Sequence, residues 1–127
     1  MKPEKFIREY GVEKAREVVE GAPDRTASHY VVDTDTYYSE DFLTYFDYSL
    51  DDWETADLNS IDELKAIYEL VIDLRILKRL VESVDLVQHM GGISEVKRKF
   101  RDNGSCHGNR MKAIIADYES IYGEGNE

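Results

Sequence analysis

Apolar and polar positions repeat with changing periods along this chain, and each change of period marks a new element. Phe6, Ile7 and Tyr10 share one helical face behind Pro3, a residue suited to a first helical turn, and Gly11 follows as a stop. Val12, Ala15, Val18 and Val19 resume the helical spacing, which Gly21 and Pro23 close. Residues 1–25 thus predict two short amphipathic helices. From Ala27 the period shortens. SHYVVDTDTYYS is rich in β-branched and aromatic residues and partly alternates, which predicts one strand or two. LTYFDYS predicts another strand and DWETADL a weaker one, with turns at Ser39-Glu40-Asp41 and Leu50-Asp51-Asp52. The expectation is a small antiparallel sheet over about residues 28–58, with helices on one face.

Helical spacing returns at Ser60. Ser60-Ile61-Asp62-Glu63 has the form of a capping box, in which Ser60 takes the Glu63 amide and Glu63 reaches back. Leu64, Ile67, Val71, Leu74, Leu77, Val81 and Val84 follow at helical intervals, and Leu70, Ile72, Ile76 and Leu80 widen the stripe. A helix apolar on several sides is buried against more than one neighbour. Residues 60–90 therefore predict a long central helix, continuous or broken near Ser83–Asp85, ended by Gly91-Gly92. Ile93, Val96 and Phe100 predict a short helix stopped by Asp102-Asn103-Gly104. Met111, Ile114, Ile115, Tyr118 and Tyr122 predict a last one closed by Gly123. The fold class expected is α+β in a single domain: helical over 1–25, an acidic β region over 26–59, helical over 60–123, and a frayed tail at 124–127. FIREYG-VEKAREVV and LVQHMGGISEVKRKF share a helix, glycine, helix shape. An ancestral duplication is one reading and common capping rules, which produce such corners on their own, the favoured one; the several copies of a repeat array are missing.

Charge changes this picture more than composition does. Hydrophobic residues make up 42% of the 127, enough for a core, and the net charge is −11. Residues 1–25 carry six basic and six acidic groups, and residues 65–127 carry ten of each. Residues 26–64 carry eleven acidic groups and no lysine or arginine, so the whole net charge sits in one block that contains the predicted sheet. The same segment holds eight aromatics. Such a block repels nucleic acid and membranes and attracts basic surfaces. The opening residues contain no apolar run of the signal-peptide kind, and charges interrupt the densest apolar region, Ile61 to Met90, every few residues. One cysteine, Cys106, excludes an internal disulfide framework and fits a reducing compartment. A cytoplasmic location follows as the expectation.

Candidate chemistry is sparse. Cys106, His107 and His89 lack the spacing of a zinc site, and no HExxH, GxSxG or Walker pattern is present. Calcium loops starting at Asp33 or Asp47 would need glycine at the sixth position and glutamate at the twelfth. They have Tyr38 and Thr44, or Asp52 and Leu58. No catalytic residue, metal or cofactor is therefore assigned, and an enzyme or metal protein is the least supported reading. The basic run continued by Arg110 and Lys112, namely Lys97, Arg98, Lys99 and Arg101, could neutralise phosphates, which makes a small nucleic-acid-binding regulator one alternative. The adjacent negative field opposes it. The acidic block itself has three readings. It is a sheet whose carboxylates keep it in solution, a surface for a basic protein, or a surface whose carboxylates imitate the phosphates of nucleic acid. In the second and third, Tyr37, Tyr38, Tyr48 and Trp53 are the anchors. Asp33, Asp35, Asp47, Asp51, Asp52 and Glu54 supply the guiding field. The sequence does not specify an oligomeric state.

Certain segments carry a resemblance. KFIREYGVEKAREVVEGAP, then ASHYVV, and later LKRLVESVDLVQHMGGISEVKR and ADYESIYG are similar to a group of small accessory proteins of lambdoid and related tailed phages and prophages of enteric bacteria. The similar parts span roughly residues 1–32 and 76–123, and Ser28 stands where that group carries threonine. The acidic block is where this chain departs most. The resemblance transfers no catalytic residue. It implies a phage accessory protein that binds and inhibits a host factor in DNA processing or defence, an anti-CRISPR or other counter-defence role included.

Overall fold

A computed structural model describes residues 1–103 and 108–123, with no description of side chains at 101–109. Helix α1 (Pro3–Tyr10) starts at its proline and ends at Gly11, whose amide donates to the Ile7 carbonyl at 2.7 Å. Gly11 has φ +92° and directly precedes helix α2 (Val12–Glu20), so the corner needs a residue without a Cβ. Four strands follow: β1 (His29–Val31), β2 (Thr36–Ser39), β3 (Thr44–Asp47) and β4 (Asp52–Thr55). Then come helix α3 (Ile61–Ile67), strand β5 (Val71–Asp73) and helices α4 (Leu74–His89), α5 (Ile93–Asn103) and α6 (Gly108–Tyr122). The α+β expectation holds. The second glycine corner is also there, with Gly91 and Gly92 at φ +103° and +106° between α4 and α5.

Strands β1 to β4 form an antiparallel meander, and β5 adds to the free side of β1, giving the order β4-β3-β2-β1-β5. Strands β2, β3 and β4 begin eight residues apart, at Thr36, Thr44 and Asp52. Each is preceded by a residue in the left-handed region: Asp35, Leu43 and Asp51, at φ +52°, +50° and +53°. A four-residue turn ending in a left-handed residue thus recurs three times. Aspartate suits it, and Leu43 adopts it at a cost on the order of 1–2 kcal/mol.

Register decides which aromatics are hidden. Tyr30 lies opposite Tyr37 on one side and Ile72 on the other, and Phe46 lies opposite Trp53. Ile72, Tyr30, Tyr37, Phe46 and Trp53 therefore make one cross-strand stripe, packed on Phe6, Ile7, Ala15, Val18 and the inner face of α4. On the opposite face, Val31 and Val71 pack on Ile61 and Leu64 of α3. Helices thus cover both faces at the β1–β5 side of the sheet, not one face as the sequence predicted. A satellite core of Val87, Ile93, Val96 and Ile114 joins the end of α4 to α5 and α6.

The predicted helix over 60–90 starts instead at Leu74. Val71-Ile72-Asp73 is at once in helical phase with its neighbours and extended, because its backbone pairs with β1. The break falls here and not near Ser83–Asp85, where α4 is continuous. Asp73 ends β5 and caps α4, its Oδ1 accepting from the Arg75 and Ile76 amides at 2.9 and 3.2 Å. The capping box is displaced by one residue: Glu63 reaches back to Asn59, accepting from its amide at 3.0 Å and from its Nδ2 at 3.1 Å, while the Ser60 side chain makes no cap hydrogen bond.

Ile72 is fully buried in a strand that only tertiary pairing defines. Replacing Ile72 with alanine is expected to cost about 2–5 kcal/mol in urea unfolding. Asp73→Ala, which removes the cap of α4, is expected to cost about 1 kcal/mol by the same measurement.

Candidate functional site

Alternate turns of a meander lie at the same end of a sheet, so the β1–β2 turn (32–35) and the β3–β4 turn (48–51) are neighbours. This brings Asp33 and Asp35 together with Asp47, Tyr48, Asp51 and Asp52. Of these, Asp33, Asp35, Tyr48, Asp51 and Asp52 are exposed. Tyr48 and Leu50 are 58% and 60% exposed, values that place apolar surface among the carboxylates. Glu40, Asp41 and the 65% exposed Phe42 sit in the β2–β3 turn, at the far end of the sheet.

Three of the predicted contact residues lie elsewhere. Tyr37 is 4% exposed, and its hydroxyl donates to the Val18 carbonyl at 2.5 Å. It is a core residue and no anchor, because its strand position faces the helices. A Cβ at Gly21 would lie 2.8 Å from that hydroxyl, so the missing side chain lets α2 close on the sheet. Tyr38 and Glu54 occupy the other face, where the Tyr38 ring lies tilted against Tyr45 with centroids 6.1 Å apart and Glu54 pairs across strands with Tyr45.

The carboxylates divide by the work they do. Asp47 accepts from the amide and hydroxyl of Ser49 at 2.9 and 2.6 Å, which holds the turn and keeps its pKa below the usual carboxylate range. Asp35 accepts the Tyr30 hydroxyl at 2.5 Å. Burial, reinforced by Asp35, pushes the Tyr30 pKa up, and burial does the same for Tyr37, so both stay protonated hydroxyls. Asp52 accepts from the Trp53 amide at 2.8 Å. Among the described residues, no lysine or arginine pairs with any carboxylate between Asp33 and Asp57.

A cleft of about 430 Å3 opens beside this end, lined by Pro23, Asp24, Phe46, Tyr48, Asp51, Asp52 and Trp53. Phe46 meets Tyr48 and Trp53 edge to face, with centroids 5.0 and 5.5 Å apart. The Trp53 indole donates to Asp24 Oδ2 at 2.9 Å, while the Thr26 amide and hydroxyl hold Asp24 Oδ1. These bonds keep the Asp24 pKa low. Aromatic faces beside carboxylates favour a cation such as a lysine or arginine side chain. Asp24 and Leu50 were missed from sequence. The Asp24-Arg25-Thr26 pattern of an Asx turn was visible, but its contact with Trp53, 29 residues away, was not.

The basic region is partly neutralised. Lys97 bonds Glu119 at 2.7 Å, and Arg98 bonds Glu95 at 2.7 Å. Lys99 is half-buried on α5, Arg110 and Lys112 are exposed on α6, and the Arg101 side chain, like Cys106 and His107, lies outside the described residues. Among the described residues, no group of three or more histidine, cysteine or acidic side chains could hold a metal, and no helix is long and apolar enough to cross a membrane. No family model, curated protein or solved structure matches this chain.

His29 is a buried histidine of the sheet, 2% exposed, with Nδ1 2.8 Å from Ser28 Oγ and 3.9 Å from Glu40. Burial lowers its pKa from 6.5, against the opposing pull of Asp73 and Glu40. The unfolded chain therefore takes up a proton below about pH 6.5 that the folded chain refuses. Stability from this group is full above that value and falls as pH drops towards the lowered folded pKa. The loss of melting temperature between about pH 7.5 and about pH 5.5 is expected to be smaller in His29→Gln than in the natural sequence. Equal losses would assign the pH dependence to other groups.

Proposed function

We propose that this chain is a non-enzymatic interaction protein of phage or prophage origin, which binds a basic surface of a host factor and inhibits it. The host factor handles nucleic acid or serves in defence. One observation carries the reading. Two neighbouring turns present carboxylates without cationic partners around exposed Tyr48 and Leu50, beside an aromatic cleft. Outward charge of one sign speeds encounter with an opposite surface, and exposed rings supply the desolvated contact. The resemblance to phage accessory proteins supports the origin. The pairing of Lys97 and Arg98 with carboxylates argues against a phosphate-binding role for α5.

The test uses reversals at exposed positions of this end of the sheet, with the fold of the variant checked separately. Asp33, Asp51 and Asp52 are exposed, whereas Asp47 holds its turn and Asp35 holds Tyr30. The immobilised chain is expected to retain a basic protein from an enteric bacterial lysate, with retention falling at high salt. The triple variant Asp33→Lys, Asp51→Lys, Asp52→Lys, folded by circular dichroism, should lose that protein. Retention of the same protein by the folded variant would sink the proposal.

A further inference from the structure

Opposite in sign to the acidic end, a second cleft of about 410 Å3 lies where the α2–β1 connection meets the start of α4. Its apolar surface comes from Val19, Ala22, Ala27 and Leu74, and its cations are Arg25, Arg75 and Lys78. Against these stands one lining carboxylate, Asp24, whose two oxygens are already engaged by Thr26 and Trp53. Arg25 and Lys78 pair with no carboxylate among the described residues. Arg75 has only Asp73, at 3.8 Å, and that carboxylate is committed to capping α4. Three cations therefore gather around an apolar floor with their charge largely uncompensated, in a chain whose net charge is −11.

We infer that this cleft binds a small anion with an apolar body, an organic phosphate or carboxylate. The volume falls in the range of small-ligand sites, and a mostly apolar lining with a few convergent charged groups is their usual chemistry. The floor takes the hydrocarbon part. The two guanidinium groups offer planar paired donors to the anionic head, and Lys78 adds a point charge. The nearby Asp24 opposes a polyphosphate head, so a compact anion with substantial apolar area fits best. This inference does not rest on the acidic surface, and the two sites carry opposite selectivity.

The full chain, titrated with phenyl phosphate and with hexanoate and followed by amide NMR shifts, is expected to show saturable binding of at least one at millimolar concentration or below. Shifts should centre on Ala22, Arg75 and Lys78. The preference between the two probes separates phosphate from carboxylate recognition. Inorganic phosphate and neutral benzyl alcohol should each bind at least ~10-fold more weakly, since each lacks half of the chemistry. Arg75→Ala and Lys78→Ala remove exposed side chains, and each should weaken binding by about tenfold or more. Lys78→Arg should retain it, and so should the Asp33, Asp51, Asp52 reversal variant. Absence of saturable binding by both organic anions overturns the inference, as does equal binding by the folded Arg75→Ala, Lys78→Ala double variant.

Discussion

The stripe Ile72–Tyr30–Tyr37–Phe46–Trp53 joins the acidic sheet to the helices, and the remaining features follow from its burial. Each buried aromatic withdraws on the order of 150–250 Å2 from water. That gain is available only if the hydroxyls find partners, which Val18 and Asp35 provide. The stripe is deepest at Ile72 and Tyr30 and comes to the surface at Phe46 and Trp53. Strands β3 and β4 are thus held on the hidden side by their inner neighbours, while their outer side and turn remain open.

Placing aromatics on alternate positions sends the carboxylates to turns and outer faces. Some are then used within the fold: Asp47 in its turn, Asp24 with Thr26 and Trp53, Asp73 at the head of α4. Asp33 and Asp51 have no such role, and Asp51 sits in a left-handed turn position that a glycine or asparagine could fill without adding charge. Retaining charge there does nothing for the fold, because like charges on adjacent turns repel. It does extend a negative field into solvent over about a Debye length, ~8 Å at physiological salt.

The helical half settles its charges locally. Lys97 pairs with Glu119, Arg79 reaches Asp117 at 3.3 Å, Ser83 donates to the same carboxylate at 2.8 Å, and Arg16 meets Asp85. Arg8 ties α1 to the last turn of α6 through the Ile121 and Ser120 carbonyls at 2.6 and 2.9 Å. These pairs link elements far apart in sequence and leave little net field. The cleft around Arg25, Arg75 and Lys78 is the departure from this balance, as the acidic end is in the sheet.

The helices at both ends, the glycine corners, the meander and the confinement of net charge to 26–64 are legible in the chain, because each is written in local spacing or composition. Three kinds of feature depend instead on contacts distant in the chain. Strand β5 was hidden because Val71 and Leu74 continue the helical phase of Leu64 and Ile67, and three residues become extended only when β1 offers its backbone. Tyr37 and Tyr38, adjacent and alike in the chain, separate to opposite faces, so which of them is core depends on which face the helices cover. Both clefts depend on the 22–27 connection lying between sheet and α4, a meeting of segments as far apart as Asp24 and Trp53. Local pattern fixes which residues can be buried together, and long-range packing decides which carboxylates and cations end up side by side.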